Sequence, residues 1–156
     1  MMIYIAAPLF NDIERSRNHE FTISLEKEDF KVYLPQRDGG LFYEYIEQGF
    51  SIQDSRSYIF KKDIEAIDNS DIILCLLDGR VLDEGMCFEL GYGFAKGKIC
   101  IGYKTDHRTQ DKFGNNIMID CALKQIFNNR NELIKYICTL KNDHYAKNTY
   151  KDRTLV

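Results

Sequence analysis

The chain has 156 residues, which suits one domain with a hydrophobic core of its own. Its formal net charge is −3, so the composition excludes the basic surface that is typical of nucleic-acid-binding proteins. No apolar run reaches the roughly 18 residues of a membrane span, and the first residues, MMIYIAAPLF, lack the basic segment of a signal peptide.

Short apolar runs alternate along the chain with longer segments that carry apolar residues at helical spacing. In chain order the predicted elements are a strand over 3–7, a helix over 11–29 capped by Asn11 or Asp12, a strand over 31–35, an aromatic-rich loop over 36–50, a helix over 55–69, a strand over 71–77, a helix over 83–98, a strand over 98–104, and helices over 115–127 and 130–141. Residues 142–156 form a weakly patterned C-terminal tail.

This alternation of strands and helices indicates right-handed βαβ units and a parallel sheet. The predicted fold is therefore α/β: a three-layer, doubly wound parallel sheet of the flavodoxin-like or Rossmann-like kind, with residues 1–156 forming a single domain. In such sheets ligands bind outside the carboxyl ends of the strands. The segments predicted to build the site are 7–11, 35–40, 77–85 and 103–110.

The segment DEGMCFELGYGFAKGK, residues 83–98, is an unusual helix because it contains four glycines and a carboxylate among apolar residues. Glu89 lies past capping reach, and its side chain should lean toward the ligand end of the sheet. Gly85 and Gly93 lie four residues either side of Glu89 and are predicted to clear a groove on its face. Asp83 starts the helix, where an acid also serves simply as a cap.

A second acid, Asp63, falls on the apolar stripe between Ile59 and Ile67. The competing interpretation is a rim acid tied to a neighbouring lysine or to the backbone. Two carboxylates beside one crevice can hold different protonation states. Such a pair can cleave a bond at an acetal-like carbon, with one acid attacking and the other handling the proton of the leaving group. Tyr4, on the first strand, can point its phenol toward the same crevice.

Three stretches, IYIAAPLF, KKDIEAIDNSDIILCLLDG and DEGMCFELGYGFAKGK, resemble the nucleoside 2-deoxyribosyltransferase family over roughly residues 2–125. The resemblance implies that Glu89 is the nucleophile that takes the deoxyribosyl group and that Tyr4 orients it. By the same resemblance, Asp63 and Asp83 hold and protonate the nucleobase. The implied activity moves 2-deoxyribosyl groups between purine or pyrimidine bases in nucleotide salvage.

The resemblance also implies binding residues outside these acids. Phe10 would line the base pocket, Gly85 would admit the substrate, and Gln36 and Asp38 would contact base or sugar. Asn116 and Met118 belong to a stretch that reaches a neighbouring subunit's site, which implies a homo-oligomer, either dimer or hexamer. Two points stay open, namely whether Asn115 replaces Asn116 and whether the carboxylate of Val156 binds the sugar.

No cofactor, metal, membrane or nucleic-acid polymer is expected; the partners are deoxynucleosides and free nucleobases. The five cysteines are odd in number and lack CxxC spacing, which favours reduced thiols in a cytoplasmic protein.

Two alternative functions remain. A nucleoside or nucleotide N-hydrolase on the same fold would use water as the acceptor, but APLFNDIER offers an apolar wall where a phosphate site is wanted. A non-catalytic nucleotide-binding module is the other alternative, because fold alone does not fix function.

Overall fold

The computed structural model describes residues 1–109 and 112–152. Its strands are β1 (Met2–Ala6), β2 (Lys31–Tyr33), β3 (Ile72–Leu76), β4 (Ile99–Tyr103) and β5 (Gln125–Phe127). Its α-helices are α1 (Asp12–Glu26), α2 (Phe42–Glu47), α3 (Ile52–Asn69), α4 (Glu84–Ala95), α5 (Ile117–Ala122) and α6 (Arg130–Asp152), and a π-helical turn spans Pro35–Gly39. The prediction for Val156 lies outside the described residues.

All five strands run parallel in the order β2-β1-β3-β4-β5. This is the flavodoxin-like order, so the predicted three-layer, doubly wound α/β fold is confirmed. The chain direction across the sheet reverses between β1 and β3. In doubly wound sheets the ligand crevice opens at that switch point.

The two faces of the sheet pack against different helices because successive strand residues point to opposite sides. One core joins alternate residues of β1 and β3 to α1 and α6, through Ile3, Ile5, Ile72, Leu74, Phe21, Leu25, Leu133 and Ile137. The other core joins the remaining strand residues to α3 and α4, through Tyr4, Ala6, Ile73, Cys75, Ala66, Ile67, Met86 and Leu90. All five residues of β3 are buried, as its uninterrupted apolar sequence predicted.

Capping side chains fix where the site-bearing helices begin. The Asn11 side chain accepts a hydrogen bond from the Glu14 amide, Ser51 accepts from Asp54, and Asp83 accepts from Met86. Of the two candidate caps for the first helix, Asn11 is therefore the one used. The cap at Asp83 starts α4 after the loop over 77–82 that follows β3, at the carboxyl edge of the sheet.

The C-terminal third of the fold departs from prediction. The helix predicted over 115–127 is confirmed only as α5, which ends at Ala122; its C-terminal part is wrong, because β5 adds an edge strand over Gln125–Phe127. Gly102 in β4 admits the side chains that pack there, since a Cβ would lie 2.7 Å from a Leu77 atom and 3.1 Å from Leu123 and Ile126 atoms. The last helix runs to Asp152 instead of ending near 141, and the predicted loop over 36–50 contains α2.

Among the helices of the described residues, none combines the length and the apolar character that a membrane crossing requires.

Candidate active site

A buried tyrosine on β1 holds the carboxylate of α4. Tyr4 is fully buried on the sheet face covered by α3 and α4, and its hydroxyl donates a 2.6 Å hydrogen bond to Oε1 of Glu89. Glu89 lies in the second turn of α4 and is half-buried. The two residues flank the point between β1 and β3 where the sheet reverses direction. The prediction that Tyr4 points toward the crevice of Glu89 is therefore consistent with the geometry.

A second tyrosine–carboxylate pair lies beside the first. The Tyr33 hydroxyl on β2 donates to Oδ1 of Asp63 on α3 at 3.0 Å. Tyr4 and Tyr33 are register partners on neighbouring strands, and their rings stack with centroids 5.5 Å apart and an interplanar angle of 11°. The parallel strands thus place the two acids side by side, each held by its own phenol.

Burial shifts the pKa values of both acids upward, but by different amounts. The pKa of Glu89 rises to about 8, chiefly through burial; the Tyr4 hydrogen bond opposes the rise, and the charges of Asp63 and Asp83 add to it. Burial also raises the pKa of Asp63 to about 6, against the hydrogen bond of Tyr33 and the charge of Lys62. The two pKa values therefore lie on either side of neutral pH, where Glu89 is mainly protonated and Asp63 mainly ionised.

The two phenols remain proton donors throughout this range. Burial, followed by the nearby Glu89 charge, raises the pKa of Tyr4 far above its ordinary value. Burial and the Asp63 charge do the same for the pKa of Tyr33. Each hydroxyl can therefore stabilise an ionised carboxylate beside it without itself losing a proton.

Asp83 both caps α4 and influences the site. Its Oδ1 accepts a 2.7 Å hydrogen bond from the Met86 amide, so the capping interpretation holds. Its negative charge also contributes to the raised pKa of Glu89. A residue that is structurally a cap thus lies close enough to the nucleophile candidate to act on it electrostatically.

The glycines of α4 have separate roles, and the expectation of a shared groove is wrong for Gly93. A Cβ on Gly93 would lie 2.6 Å from Cγ1 of Ile73, so this glycine lets α4 pack closely on β3. Gly85 is exposed in the first turn, where a Cβ would lie 3.1 Å from Oδ1 of Asp83. Only Gly85 is therefore placed to keep space open near the acids.

An apolar cleft opens beside Asp63. Its volume is about 580 Å³, and its lining consists of Phe42, Arg56, Ser57, Ile59, Phe60 and Asp63. The volume falls within the range of small-molecule sites, and a mainly apolar wall with one acid is typical of them. Phe60 also contacts Phe88 of α4, with ring centroids 6.1 Å apart, so the aromatic wall continues toward the helix that carries Glu89.

The two residues predicted from the loop after β2 have structural partners. The Gln36 amide donates to the Arg15 carbonyl at 2.9 Å and accepts from Asn18 at 3.2 Å. The Asp38 carboxylate accepts from the Leu34 amide at 2.8 Å and from the Arg37 guanidinium. These bonds hold the π-helical turn against its neighbours. Neither the Gln36 amide nor the Asp38 carboxylate is directed at the paired acids.

The remaining predicted binding residues lie on the surface. Phe10 is 74% exposed ahead of α1, and Met118 is 75% exposed in α5. Asn116 caps α5 by accepting a hydrogen bond from the Met118 amide. Asn115 is held inside the chain instead, since it accepts from the Lys104 ammonium and donates to Asp120. Of the two asparagines, Asn116 is therefore the more exposed.

Sequence reasoning missed Tyr33 and the aromatic wall of the cleft. Tyr33 could have been found from the alternation of β2, because the residue after buried Val32 must point to the opposite face, which is that of Tyr4. Phe42 was not predicted to line the cleft because it lies in a segment predicted to be a loop. Within the described residues, no cluster of three histidine, cysteine or acidic side chains is arranged to hold a metal ion.

The chain is thus an α/β domain in which two tyrosine-held acids lie side by side, with an apolar cleft beside one of them. Within that class, the chain belongs to the nucleoside 2-deoxyribosyltransferase family, whose model matches residues 3–135. Membership makes the chain a glycosyl-transferring enzyme of nucleosides and nucleobases. No curated protein matches the sequence significantly.

Several solved structures share the fold. A 2-deoxyribosyltransferase from Bacillus psychrosaccharolyticus is 23% identical with a TM-score of 0.71, covering 86% of this chain and 90% of its own. A conserved protein from Enterococcus faecalis V583 is 22% identical with a TM-score of 0.75, covering 89% and 98%. A CMP N-glycosidase from Clostridium botulinum is 17% identical with a TM-score of 0.56, covering 88% and 98%.

Proposed function

We propose that this enzyme transfers a 2-deoxyribosyl group between nucleobases by double displacement through a glycosyl–Glu89 intermediate. The observation that carries the proposal is the 2.6 Å hydrogen bond from buried Tyr4 to Glu89, beside the second acid, Asp63. A carboxylate aimed by a phenol that stays protonated is an oriented nucleophile. The second acid supplies the proton chemistry that a leaving base needs.

The reactive state has Glu89 ionised and the proton on Asp63. Because the pKa of Glu89 is the higher of the two, this state is the minor one in the free site near neutral pH. In the first half-reaction, an oxygen of the ionised Glu89 forms a bond to C1′ while the C1′–N bond to the base breaks. The electron pair of that bond goes to the base nitrogen, and Asp63 in its protonated form donates the proton that neutralises the base. Tyr4 keeps the attacking carboxylate aligned through its hydrogen bond. Because the sugar passes through an oxocarbenium-like state, the missing 2′-hydroxyl of a deoxynucleoside makes cleavage easier.

The second half-reaction reverses these steps with a different base. The nitrogen of the incoming base attacks C1′, the C1′–Glu89 ester bond breaks, and Asp63 takes the proton that the incoming base loses. Two inversions at C1′ restore the original β configuration. Asp83, which raises the pKa of Glu89, is assigned a supporting contact to the base. The chemistry needs no cofactor or metal.

The cleft beside Asp63 suits a nucleobase. Aromatic and aliphatic side chains line most of it, and planar bases pack well against aromatic rings. We place the base of the nucleoside against this wall, with its ring nitrogen at Asp63 and the sugar toward Glu89. Phe10, Gly85, Gln36 and Asp38 remain proposed contacts at the edge of the site.

The alternative is a nucleoside or nucleotide N-hydrolase, which the shared fold of the CMP N-glycosidase keeps open. A nucleotide substrate would call for cations near the end of β1 to meet its phosphate. The arginines there are already paired: Arg15 with Asp12 and the Leu9 carbonyl, and Arg17 with Asp78. These pairings favour an uncharged nucleoside over a nucleotide.

Incubation with deoxyinosine, with and without adenine, tests the proposal. We expect slow hypoxanthine release alone and rapid formation of deoxyadenosine when adenine is added, because a base competes better than water for the glycosyl enzyme. Chromatography of both reactions measures the two products. Equal hypoxanthine release in both would support the hydrolase, and no release from any deoxynucleoside would support a binding module.

We also propose that the enzyme is a cytoplasmic homo-oligomer in nucleotide salvage, with Asn116 and Met118 entering a neighbour's site. Large apolar side chains are exposed around them: Phe113 by 87%, Ile117 by 73% and Met118 by 75%. Contiguous exposed apolar surface of this kind commonly marks a protein interface. An asparagine at the edge of that surface could reach the sugar hydroxyl of the next subunit.

Mixing two inactive variants tests this sharing. Glu89→Ala chains retain Asn116, and Asn116→Ala chains retain Glu89, so a mixed dimer contains one site with both residues intact. Recovery of up to roughly a quarter of wild-type transfer is expected from a statistical mixture of dimers. Subunit exchange is verified by native mass spectrometry; exchange without any recovery would assign Asn116 to its own subunit's site or to capping alone.

A further inference from the structure

The hydroxyl of Tyr33 and the backbone of Gly39 enclose one oxygen of Asp63. Tyr33 donates its 3.0 Å hydrogen bond to Oδ1 of Asp63. A Cβ on Gly39 would lie 2.9 Å from that same Oδ1 and 3.0 Å from the Tyr33 hydroxyl oxygen. The π-helical turn therefore packs its glycine directly over the hydrogen bond. Gly39 is buried, and the Tyr45 hydroxyl donates to its carbonyl at 2.8 Å, which anchors the turn in this position.

We propose that Tyr33 is the positioning residue for the proton-transferring acid: it occupies Oδ1 of Asp63, directs Oδ2 to the nucleobase, and tunes the acidity of the carboxyl, with Gly39 keeping the pair seated. The inference rests on the proposed function, because it assigns Asp63 the proton chemistry of the base. It adds a residue on β2 to a reaction otherwise carried by β1, α3 and α4.

Geometry gives Tyr33 control over the direction of Asp63. A carboxylate on a helix rotates about χ2 unless a partner holds it, because that torsion is broad. The Tyr33 ring is itself fixed by its stack on Tyr4, so its hydroxyl has little freedom. The same stack connects the two acids: Tyr33 holds Asp63, Tyr4 holds Glu89, and the two phenols lie against one another.

Titratable groups from several neighbouring elements surround Asp63. Tyr4 of β1 and Tyr33 of β2 face it, Glu89 interacts with it from α4, and Lys62 lies next to it in α3. The Asp38 charge in the turn acts on Tyr33, and the Lys62 ammonium donates to the Asp38 carbonyl. Within this set, the Tyr33 hydrogen bond and Lys62 lower the pKa of Asp63 against the effect of burial.

The test replaces Tyr33 by phenylalanine, which keeps the ring and removes only the hydroxyl. With ¹³C-labelled aspartate, NMR titration should show the pKa of Asp63 rising by about 1 unit, because the ionised form loses a hydrogen bond. The rate of base release should fall about tenfold in kcat with KM little changed, since the interaction serves the proton transfer and not ground-state binding. The limb of the pH profile that follows Asp63 should move upward together with the pKa of Asp63.

Tyr92→Phe is the matched control. Its hydroxyl also donates to an aspartate of α3, Asp68, at 3.0 Å, but this pair is exposed and away from the paired acids. Tyr92→Phe should leave kcat and its pH profile unchanged. Gly39→Ala provides a second variant, because the added methyl must displace the Asp63 oxygen while both hydrogen-bonding groups remain; it should lower kcat without removing any polar group.

An unchanged pKa of Asp63 in Tyr33→Phe overturns the inference, and so does a risen pKa with wild-type kcat and pH profile. The NMR titration needs no turnover, so it decides the tuning of Asp63 even if the wild type transfers no deoxyribosyl group. Wild-type inactivity toward every deoxynucleoside would instead contradict the proposed function. The two failures are therefore distinguishable.

Discussion

Glu89→Ala is expected to abolish deoxyribosyl transfer and base release together. Both outcomes begin with the attack of Glu89 on C1′, so loss of this carboxylate removes the covalent route and not merely one product. The rates of transfer and of base release should both fall by a factor of at least about 10⁴, which is the upper end of the loss expected from removing a proton donor alone. Quantitative chromatography with deoxyinosine and adenine measures both activities in one assay.

The covalent intermediate itself can be trapped. A substrate with fluorine at the 2′ carbon destabilises the oxocarbenium-like state, slows both half-reactions and lets the glycosyl enzyme accumulate. Mass spectrometry of a peptic digest should then find the added mass of the sugar on the peptide that contains Glu89. An adduct on another peptide, or an active Glu89→Ala enzyme, would remove Glu89 as the nucleophile.

Glu89→Gln separates lost chemistry from lost folding. Because the folded-state pKa of Glu89 is raised to about 8, wild-type stability should decrease as the pH rises from the unfolded-state value of about 4.5 to about 8. Glutamine has no charge to bury, so the variant does not lose stability over this pH range. At pH 8.5 the variant should therefore be more stable than wild type by up to about 5 kcal/mol, or roughly 10–20 °C in Tm, with little gain at pH 4.

The outcome at Glu89→Gln is informative in both directions. An inactive and stabilised variant shows that the enzyme accepts an unfavourable carboxylate for the sake of its chemistry, as strained functional sites often do. Calorimetry at several pH values gives the comparison directly. A variant that is inactive and equally stable at every pH would show that Glu89 is not desolvated, and its role as a buried nucleophile would lose its physical basis.

The sequence predicted the layers of the fold because their signals are local. An uninterrupted apolar run identified β3, and a polar residue before an apolar stripe identified the starts of α1 and α4, whereas α3, predicted from 55, begins at Ile52. β5 could not be predicted in this way. It has three residues, of which only Phe127 is buried, and it pairs with β4 at Gly102, where the side chains of Leu77, Leu123 and Ile126 pack against the glycine.

The candidate site was predicted only in part, because sequence patterns report local spacing and not contacts between distant residues. The spacing within α3 placed Asp63 on its inner face, and the position of Glu89 in α4 followed from helix geometry. Tyr33 and Gly39 act on the site through Asp63, which lies 24 or more positions away, and no periodicity reports such contacts. The interpretation of Gly93 failed because a glycine that clears a ligand groove and one that admits a neighbouring strand look identical in sequence.

Asp63→Asn is expected to lower turnover by about 10²–10⁴ while preserving the fold. Asparagine has nearly the same shape as aspartate, and its amide oxygen can still accept the hydrogen bond of Tyr33. What it lacks is a titrating proton, so the base must leave as an anion. Because the pKa of Asp63 is about 6, wild-type base release should depend on pH near that value, and this dependence should disappear in the variant.

The choice of leaving group separates a proton-transfer role from a general loss of activity. A nitrophenyl 2-deoxyriboside releases a stable phenolate that needs no proton. Asp63→Asn should therefore cleave this substrate at close to the wild-type rate, while its cleavage of deoxyinosine stays slow. Asp68→Asn, an exposed acid on the same helix, is the matched control and should behave as wild type on both substrates. If Asp63→Asn also matches wild type on deoxyinosine, Asp63 is the rim acid of the competing interpretation, and the proton of the leaving base must come from another group, with Asp83 at the start of α4 the next residue to replace.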